Sequence, residues 1–145
     1  MPLKQSETAA PEPVPCSKFI LLGEDDIDDE ELLREVFTAV DPSYGLIFVN
    51  NGRNVVSTLA GMENLPCLII LDYNMPTLNG AEILQEIQSN KRLENVPKII
   101  WSTSNSETYK NHCLQLGARD YVIKPTSMQG LTEVARYMLS FCLVE

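Results

Sequence analysis

Short apolar runs alternate with longer amphipathic stretches along most of this chain. Five of these runs are predicted to be strands, at residues 19–22, 46–49, 67–71, 98–101 and 121–123. Most of them are apolar without interruption, which is typical of strands that are covered on both faces. The alternation therefore predicts repeated strand-helix units around a parallel sheet.

A helix is predicted after each strand, because apolar residues recur there at helical spacing. The second helix is predicted near residues 54–60, the fourth ends at Gly117, and the fifth spans residues 127–142. This pattern predicts an α/β fold, namely a doubly wound five-stranded parallel sheet with helices on both faces. The residues predicted to face the core are Ile27, Leu33, Val36, Phe37 and Val40 in the first helix, Ile83, Leu84 and Ile87 in the third, and Leu131, Val134, Ala135, Met138 and Leu139 in the fifth.

Composition sets the domain organisation and narrows the class of partner. Residues 1–17 carry four prolines among small and polar residues, which is typical of a flexible extension. Residues 18–145 suffice for one domain with a sizeable core, and 44% hydrophobic residues indicates a soluble globular protein. The net charge of −9 argues against a large basic surface for nucleic acid or for a membrane of anionic lipid, since both partners are polyanions.

The excess of acid is local, because seven of the eight residues from Glu24 to Glu31 are acidic. Such a run usually marks a solvated helix start, where carboxylates favour the positive end of the helix dipole. We assign that role to residues 28–31, but not to Glu24 and Asp25.

The spacing of the cysteines indicates a reducing cellular compartment. Cys16, Cys67, Cys113 and Cys142 lie far apart without a CxxC pair, so free thiols in a reducing compartment are predicted, and not a disulfide or a zinc site. No stretch resembles a signal peptide or approaches the ~18 apolar residues of a spanning helix. We therefore expect a cytoplasmic protein.

Acidic residues follow two of the predicted strands. Glu24 and Asp25 come just after the first strand, and Asp72 with Asn74 follows the third. If these strands are neighbours, three carboxylates crowd one edge of the sheet, and protonation or a hard divalent cation must relieve their repulsion. Magnesium suits such a place, because it needs only one or two carboxylates together with phosphate oxygens and water.

A hydroxyl and an ammonium are predicted at the same edge. Ser102 ends the fourth strand and Lys124 ends the fifth, directly before Pro125. Both groups would bind the oxygens of a phosphoryl group placed between them and the acids. Each residue alone has an ordinary explanation as a cap, a turn or an exposed lysine, whereas five of them at the ends of four strands predict an anion site.

The chain resembles the receiver domain of response regulators over nearly all of residues 18–142. The segment LDYNMPTLNG at residues 71–80 is similar to the family's phosphoacceptor motif, with Asp72 at the acceptor position. The resemblance implies a (βα)5 flavodoxin-like fold with strand order 2-1-3-4-5. The other matching positions are the acidic pair Glu24 and Asp25, the Ser/Thr position Ser102, the switch aromatic Tyr121, and the Lys-Pro pair Lys124 and Pro125.

By this resemblance, the chain is a single-domain response regulator that signals through a phosphorylation-dependent conformational change. Asp72 would accept a phosphoryl group from a sensor histidine kinase or a histidine phosphotransfer protein. Lys124 and Ser102 would bind phosphoryl oxygens. Mg²⁺ would be held by Asp25, Asp72 and the backbone carbonyl of Asn74, with Glu24 acting directly or through water.

The family further implies that this is not a conventional enzyme, although it catalyses its own magnesium-dependent phosphotransfer and autodephosphorylation. Ser102 and Tyr121 would form the switch, and a cis peptide before Pro125 would aim Lys124. Because no effector domain follows the fifth helix, we expect signalling to a downstream protein through the surface of the fourth helix, fifth strand and fifth helix. The resemblance also allows for a homodimer.

Some positions depart from the family pattern or carry no predicted role. Gly23 replaces the usual aliphatic residue and is expected to loosen its strand end. Ser104 occupies a position that tunes dephosphorylation in the family. Trp101 alternates away from Ser102 and is assigned to the core, while His112 is expected to be exposed. Residues 86–104 also resemble stand-alone regulators paired with phytochrome-like kinases.

Three other functions compete with this one. A haloacid-dehalogenase-type phosphatase needs a second acid two residues after its nucleophile, where this chain has Asn74. A flavodoxin-like cofactor binder needs a small-residue phosphate loop where Glu24 and Asp25 stand. A pseudo-receiver, which acts as a phosphorylation-independent interaction module, often lacks an acid or the lysine, whereas all of them are present here.

Overall fold

Strands and helices alternate along the chain, as a computed structural model shows for residues 17–142. The strands are β1 (Ser17–Gly23), β2 (Gly45–Val49), β3 (Pro66–Asp72), β4 (Lys98–Ser102) and β5 (Asp120–Ile123). The helices are α1 (Ile27–Val40), α2 (Gly52–Gly61), α3 (Gly80–Ile87), α4 (Glu107–Gln115) and α5 (Met128–Leu139), and one 3₁₀ turn covers Lys91–Leu93.

The strands form one parallel sheet in the order β2-β1-β3-β4-β5. This confirms the predicted doubly wound α/β fold and the strand order 2-1-3-4-5. Because β3 is the third of the five strands, its last residue, Asp72, lies at the middle of the sheet's carboxyl edge. The strand is buried at every position.

The pleat of the sheet divides the core into two apolar layers. In β3, Leu68 and Ile70 face the layer that α1 and α5 cover, while Ile69 and Leu71 face the layer of α2, α3 and α4. Both faces are therefore apolar, which explains why the strands carry uninterrupted apolar runs.

Each helix start is fixed at the carboxyl edge of the sheet by a side-chain cap. The capping oxygen accepts a hydrogen bond from a backbone N–H in the first turn, which satisfies one of the free donors there. The caps, from α1 to α5, are Asp26, Asn51, Asn79, Ser106 and Ser127.

The predicted inward faces are largely confirmed, with one error. Ile27 is 71% exposed, because α1 begins with it beyond the end of β1, where the apolar layer has ended. The fourth helix ends two residues earlier than predicted, at Gln115, and Gly117 with φ of 106° makes the turn that follows. His112 is exposed, as expected.

Ser17 begins β1, and the remainder of the predicted flexible extension, residues 1–16, lies outside the described residues. The domain bounds therefore stay a prediction. None of the helices between residues 17 and 142 is long and apolar enough to span a membrane.

The prediction of free thiols is wrong for two cysteines. A disulfide joins Cys67, near the start of β3, to Cys142, which follows α5. Their Cα atoms are 4.9 Å apart, because α5 packs back along the sheet and ends beside the first residues of β3. Cys113 is a buried free thiol, and Cys16 lies outside the described residues. The cysteine argument for a reducing compartment therefore fails.

Reduction of this disulfide should destabilise the domain. The bond joins residues 75 positions apart, and a loop of that length is expected to contribute about 2–4 kcal/mol to the free energy of unfolding. Urea titrations with and without a reductant would measure the loss. Cys142→Ser should show the lower stability in both titrations, so a reductant effect that persists in this variant would contradict the assignment.

Candidate active site at the carboxyl edge of the sheet

Glu24 is a buried carboxylate directly after β1, only 1% exposed. Its backbone N–H donates to the carbonyl of Val49, which continues the ladder between β1 and β2. Its Oε2 accepts a hydrogen bond from the Asp26 backbone N–H at 3.1 Å, and its Oε1 accepts one from Trp101 Nε1 at 3.2 Å. The carboxylate is thus held on two sides, whereas the neighbouring Asp25 is exposed.

Asp72 is the last residue of β3 and is 5% exposed. One carboxylate oxygen, Oδ1, accepts a hydrogen bond from the backbone N–H of Asn74 at 3.0 Å. The other, Oδ2, accepts one from Lys124 Nζ at 2.8 Å. Asn74 itself is exposed in the loop that follows.

Lys124 joins the acids of three elements. Its backbone N–H donates to the carbonyl of Ser102 at 2.8 Å, which places the lysine just past β5. Its Nζ lies 2.8 Å from Asp72 Oδ2, 3.0 Å from Asp29 Oδ2 and 3.6 Å from Glu24 Oε1. The ammonium therefore sits among three carboxylates that come from β3, α1 and the end of β1.

The peptide before Pro125 is trans, because no peptide bond within residues 17–142 is cis. The expected cis geometry is therefore wrong. The backbone hydrogen bond between Lys124 and Ser102, rather than a cis proline, fixes the position from which the lysine side chain starts.

The burial of these charges changes how the groups titrate. Burial raises the pKa of Glu24 to about 8, and the adjacent Asp72 acts in the same direction, while the Lys124 ammonium opposes it. Burial alone would lower the pKa of Lys124, but its hydrogen bonds to Asp72 and Asp29 outweigh that effect and raise the pKa above its usual range. The lysine is therefore cationic, and one cation faces three acids.

A row of serines leads from the end of β4 to α4. Ser102 is fully buried, and its Oγ accepts a hydrogen bond from the Ser104 backbone N–H at 3.0 Å. The Ser104 Oγ accepts one from Ser106 N–H at 3.2 Å, and the Ser106 Oγ caps α4 through the N–H of Tyr109. Tyr121, 6% exposed, donates its hydroxyl hydrogen to the Ser104 carbonyl at 2.8 Å. We call Ser102, Ser104 and Ser106 the serine row.

The loop after Asp72 is fixed against α2. The Gly52 N–H donates to the Pro76 carbonyl at 2.9 Å. A Cβ at position 52 would stand 2.2 Å from the Leu78 carbonyl oxygen, so only glycine permits this approach. Thr77 has φ of 69°, an uncommon value for a β-branched residue.

Gly23 does not loosen the end of β1, contrary to expectation. It is buried, and a Cβ there would lie only 3.2 Å from side-chain atoms of Leu71 and Met75 and 3.3 Å from Val55. Neighbouring side chains therefore occupy the space that a side chain at position 23 would fill.

The structure brings together most of the predicted site residues. Glu24, Asp72 and Lys124 are in direct contact, and Ser102 is linked to Lys124 through the backbone. The exposed Asp25 is not part of the contact group, in which Asp29 takes a place instead.

Sequence reasoning missed two members of the site. Asp29 had been assigned to a solvated helix start, although the first turn of α1 lies at the same edge as the strand ends. Trp101 is a core residue as predicted, but its indole N–H also reaches Glu24, and its ring faces Lys124 Nζ at 4.7 Å.

The acids of this cluster are suitable donors for a hard cation, and in this structure the Lys124 ammonium stands among them. Glu24, Asp29 and Asp72 each offer an oxygen, and these three atoms lie within 4.8 Å of one another. Carboxylate oxygens are suitable ligands for Mg²⁺ and similar ions. A parallel sheet of order 2-1-3-4-5 with buried acids and a lysine at its carboxyl edge is the architecture of a receiver domain.

Comparison with known proteins identifies the family. The family model of the response regulator receiver domain matches residues 20–136, so the chain belongs to the response regulator receiver domains of two-component signalling. Two-component response regulator ORR3 of Oryza sativa subsp. indica is 30% identical over 134 residues, which are 92% of this chain and 98% of ORR3. ORR5 of subsp. japonica is 29% identical over 115 residues, 78% of this chain and 85% of ORR5.

Solved structures give the same result. The phosphorylated cyanobacterial phytochrome response regulator RcpA matches with a TM-score of 0.79 and 28% identity over 86% of this chain and 93% of RcpA. The Mn²⁺-bound form of response regulator Rcp1 matches with a TM-score of 0.76 and 29% identity over 86% of this chain and 94% of Rcp1.

Proposed function

We propose that this response regulator accepts a phosphoryl group on Asp72 from a sensor histidine kinase or a histidine phosphotransfer protein. The observation that carries the proposal is the contact of 2.8 Å between Asp72 Oδ2 and Lys124 Nζ at the end of the central strand. A buried carboxylate and a cation at one end of a sheet are what an incoming phosphoryl group needs, as nucleophile and as counter-charge. The similar RcpA structure is of a phosphorylated regulator.

The transfer begins with in-line attack of an Asp72 carboxylate oxygen on the phosphorus of a phosphohistidine. An O–P bond forms, the P–N bond breaks with its electron pair going to the imidazole, and an acyl phosphate results. Lys124 pairs with one phosphoryl oxygen, and Ser102 donates its hydroxyl hydrogen to another. Hydrolysis of the acyl phosphate by water returns Asp72 to its free state, so the domain carries out its own autodephosphorylation without being a conventional enzyme.

The donor set fits a divalent cation, and we assign Mg²⁺ to it. The residues that would hold the ion are Glu24, Asp25, Asp72 and the backbone carbonyl of Asn74, as in the family motif. Asp29 is already paired with Lys124 at 3.0 Å, while the exposed Asp25 is free to turn toward the ion. A bound cation would offset the charge of the carboxylates and of the phosphoryl oxygens. The similar Rcp1 structure contains Mn²⁺, an ion with the same preference for oxygen ligands.

The output step uses Ser102 and Tyr121 as the switch pair. When the Ser102 hydroxyl turns toward the phosphoryl group, its Oγ gives up the hydrogen bond that it accepts from the Ser104 backbone N–H in this structure. The Tyr121 hydroxyl donates a hydrogen bond to the carbonyl of the same Ser104. Because Ser106, two residues later, caps α4, a change at Ser104 passes to the start of α4.

The signal is then read by a downstream protein at the surface that α4, β5 and α5 form. Each of these three elements exposes large hydrophobic side chains, which suits protein binding. A homodimer through this surface is an alternative use of it. The exposed side chains are Tyr109, Leu114, Ile123, Met128 and Tyr137.

Incubation with acetyl phosphate and Mg²⁺ should add the mass of one phosphoryl group, which mass spectrometry would detect. Asp72→Asn should take up none, because it lacks the nucleophilic carboxylate. Lys124→Ala should react on the order of a hundredfold more slowly, since the positive charge at the phosphoryl oxygens is lost. Wild-type protein that gains no mass, or Asp72→Asn that does, would leave the pseudo-receiver as the better function.

A matched pair of variants distinguishes the cation ligands. Asp25→Asn should weaken Mg²⁺ binding by roughly tenfold or more, a change of about 1.4 kcal/mol per factor of ten, because a direct ligand loses its charge. Asp29→Asn should weaken it less, because its carboxylate pairs with Lys124. Calorimetric titration with Mg²⁺ would measure both. The opposite order would assign the ion to the cluster of Glu24, Asp29 and Asp72.

Phosphorylation should shift the backbone amide resonances of Ser104, Ser106 and Tyr109, because the hydrogen bonds of the serine row are exchanged. Ser102→Ala should abolish these shifts while Asp72 is still phosphorylated, and Ser57→Ala, at an exposed position of α2, should leave them intact. Unchanged amide shifts in phosphorylated wild-type protein would rule out this route of output.

A further inference from the structure

Trp101 is a buried residue of the sheet that contacts two charged groups of the site. It is 2% exposed and stands one position before the end of β4. Its Nε1–H donates to Glu24 Oε1 at 3.2 Å, and its ring faces Lys124 Nζ at 4.7 Å. An aliphatic side chain could fill the apolar layer, but it could make neither contact.

We propose that Trp101 is a positioning residue, whose indole N–H orients Glu24 for a divalent cation and whose ring supports Lys124 for a phosphoryl group. The part that concerns Lys124 rests on the proposed function. The part that concerns Glu24 depends only on cation binding, so the two can be tested apart.

The indole N–H determines how the Glu24 carboxylate is presented. The two oxygens are held by different donors, because Oε2 accepts from the backbone of Asp26 and Oε1 from Trp101. One donor alone would leave the carboxylate free to rotate, whereas two fix its plane. Outer partners of this kind orient the ligands of metal ions and affect metal affinity strongly.

The indole ring contributes to the position of Lys124 without occupying any of the N–H donors of the ammonium. An ammonium has three N–H donors, and those of Lys124 go to Asp72 and Asp29, with Glu24 at the longer distance of 3.6 Å. The attraction between the ammonium and the aromatic face is electrostatic and needs no hydrogen bond. Trp101 can therefore hold the lysine in place while a donor remains for a phosphoryl oxygen.

Two substitutions separate these contacts. Trp101→Phe removes the indole N–H and keeps an aromatic ring, so Mg²⁺ affinity measured by calorimetry should fall about tenfold, while the phosphorylation rate at saturating Mg²⁺ stays close to that of wild type. Trp101→Leu removes both contacts. It should show the same loss of Mg²⁺ affinity and, at saturating Mg²⁺, a severalfold lower rate with acetyl phosphate.

The matched control is Phe37→Leu, a substitution of a buried aromatic residue in the same apolar layer. It should lower the stability of the domain without changing Mg²⁺ affinity or the phosphorylation rate. Because Trp101 is the only tryptophan, its indole N–H gives a single NMR signal. That signal should move when Mg²⁺ is added, and Glu24→Gln should shift it in the protein without metal, which a purely structural tryptophan would not show.

The inference is overturned if Trp101→Phe binds Mg²⁺ as wild type does, or if Phe37→Leu weakens binding equally. Equal rates for Trp101→Leu and Trp101→Phe would overturn the part that concerns Lys124. If wild-type protein gains no phosphoryl group at all, the proposed function fails and the lysine part fails with it, whereas the Mg²⁺ titrations and the indole signal still decide the part that concerns Glu24.

Discussion

Burial of acidic side chains is the constraint on which this site depends. A carboxylate removed from water is costly unless a cation or hydrogen-bond donors compensate for it. Glu24 and Asp72 are both nearly inaccessible, yet they stand close enough to share a single ammonium. The donors that compensate for them come from β4, from the residue after β5 and from the loops after β1 and β3, so the acids can be buried only when the whole carboxyl edge is assembled.

The same arrangement explains how a small chemical change could alter the domain. Lys124 is shared among three acids, and one cation cannot satisfy all of them equally. A phosphoryl group or a metal ion, if added as proposed, would change this balance of charge and with it the contacts of the lysine. Ser102 is the first residue of the serine row, and its carbonyl accepts a hydrogen bond from the backbone N–H of Lys124. Hydrogen bonds therefore connect the lysine to the start of α4.

Much of the fold could be predicted because its signals are local. Apolar layers on both faces of the sheet produce uninterrupted strand sequences, and helical spacing marks the residues that cover them. Ile27 was predicted wrongly because periodicity does not show where the apolar layer ends. The residues at the strand ends could be found because parallel strands bring their carboxyl ends to one edge.

The missed features depend on contacts between distant parts of the chain. In the sequence, Asp29 is indistinguishable from other acids at a helix start, because its partner Lys124 lies 95 residues later in the chain. Trp101 is assigned to the core from its place in the pleat, which is correct for the ring, but the indole N–H also reaches past β3 to Glu24 at the end of β1. The pairing of Cys67 with Cys142 depends on where α5 ends, which spacing along the sequence does not reveal.

That disulfide also changes the covalent topology of the domain. It closes the chain from Cys67 to Cys142 into a ring, and the ring contains Asp72, Ser102, Tyr121 and Lys124. A single break in the backbone within the ring, for instance in the exposed turn around Arg119, would leave both pieces covalently attached. Most of the site is therefore carried by one circular segment, to which β1 and α1 bring Glu24 and Asp29 from outside.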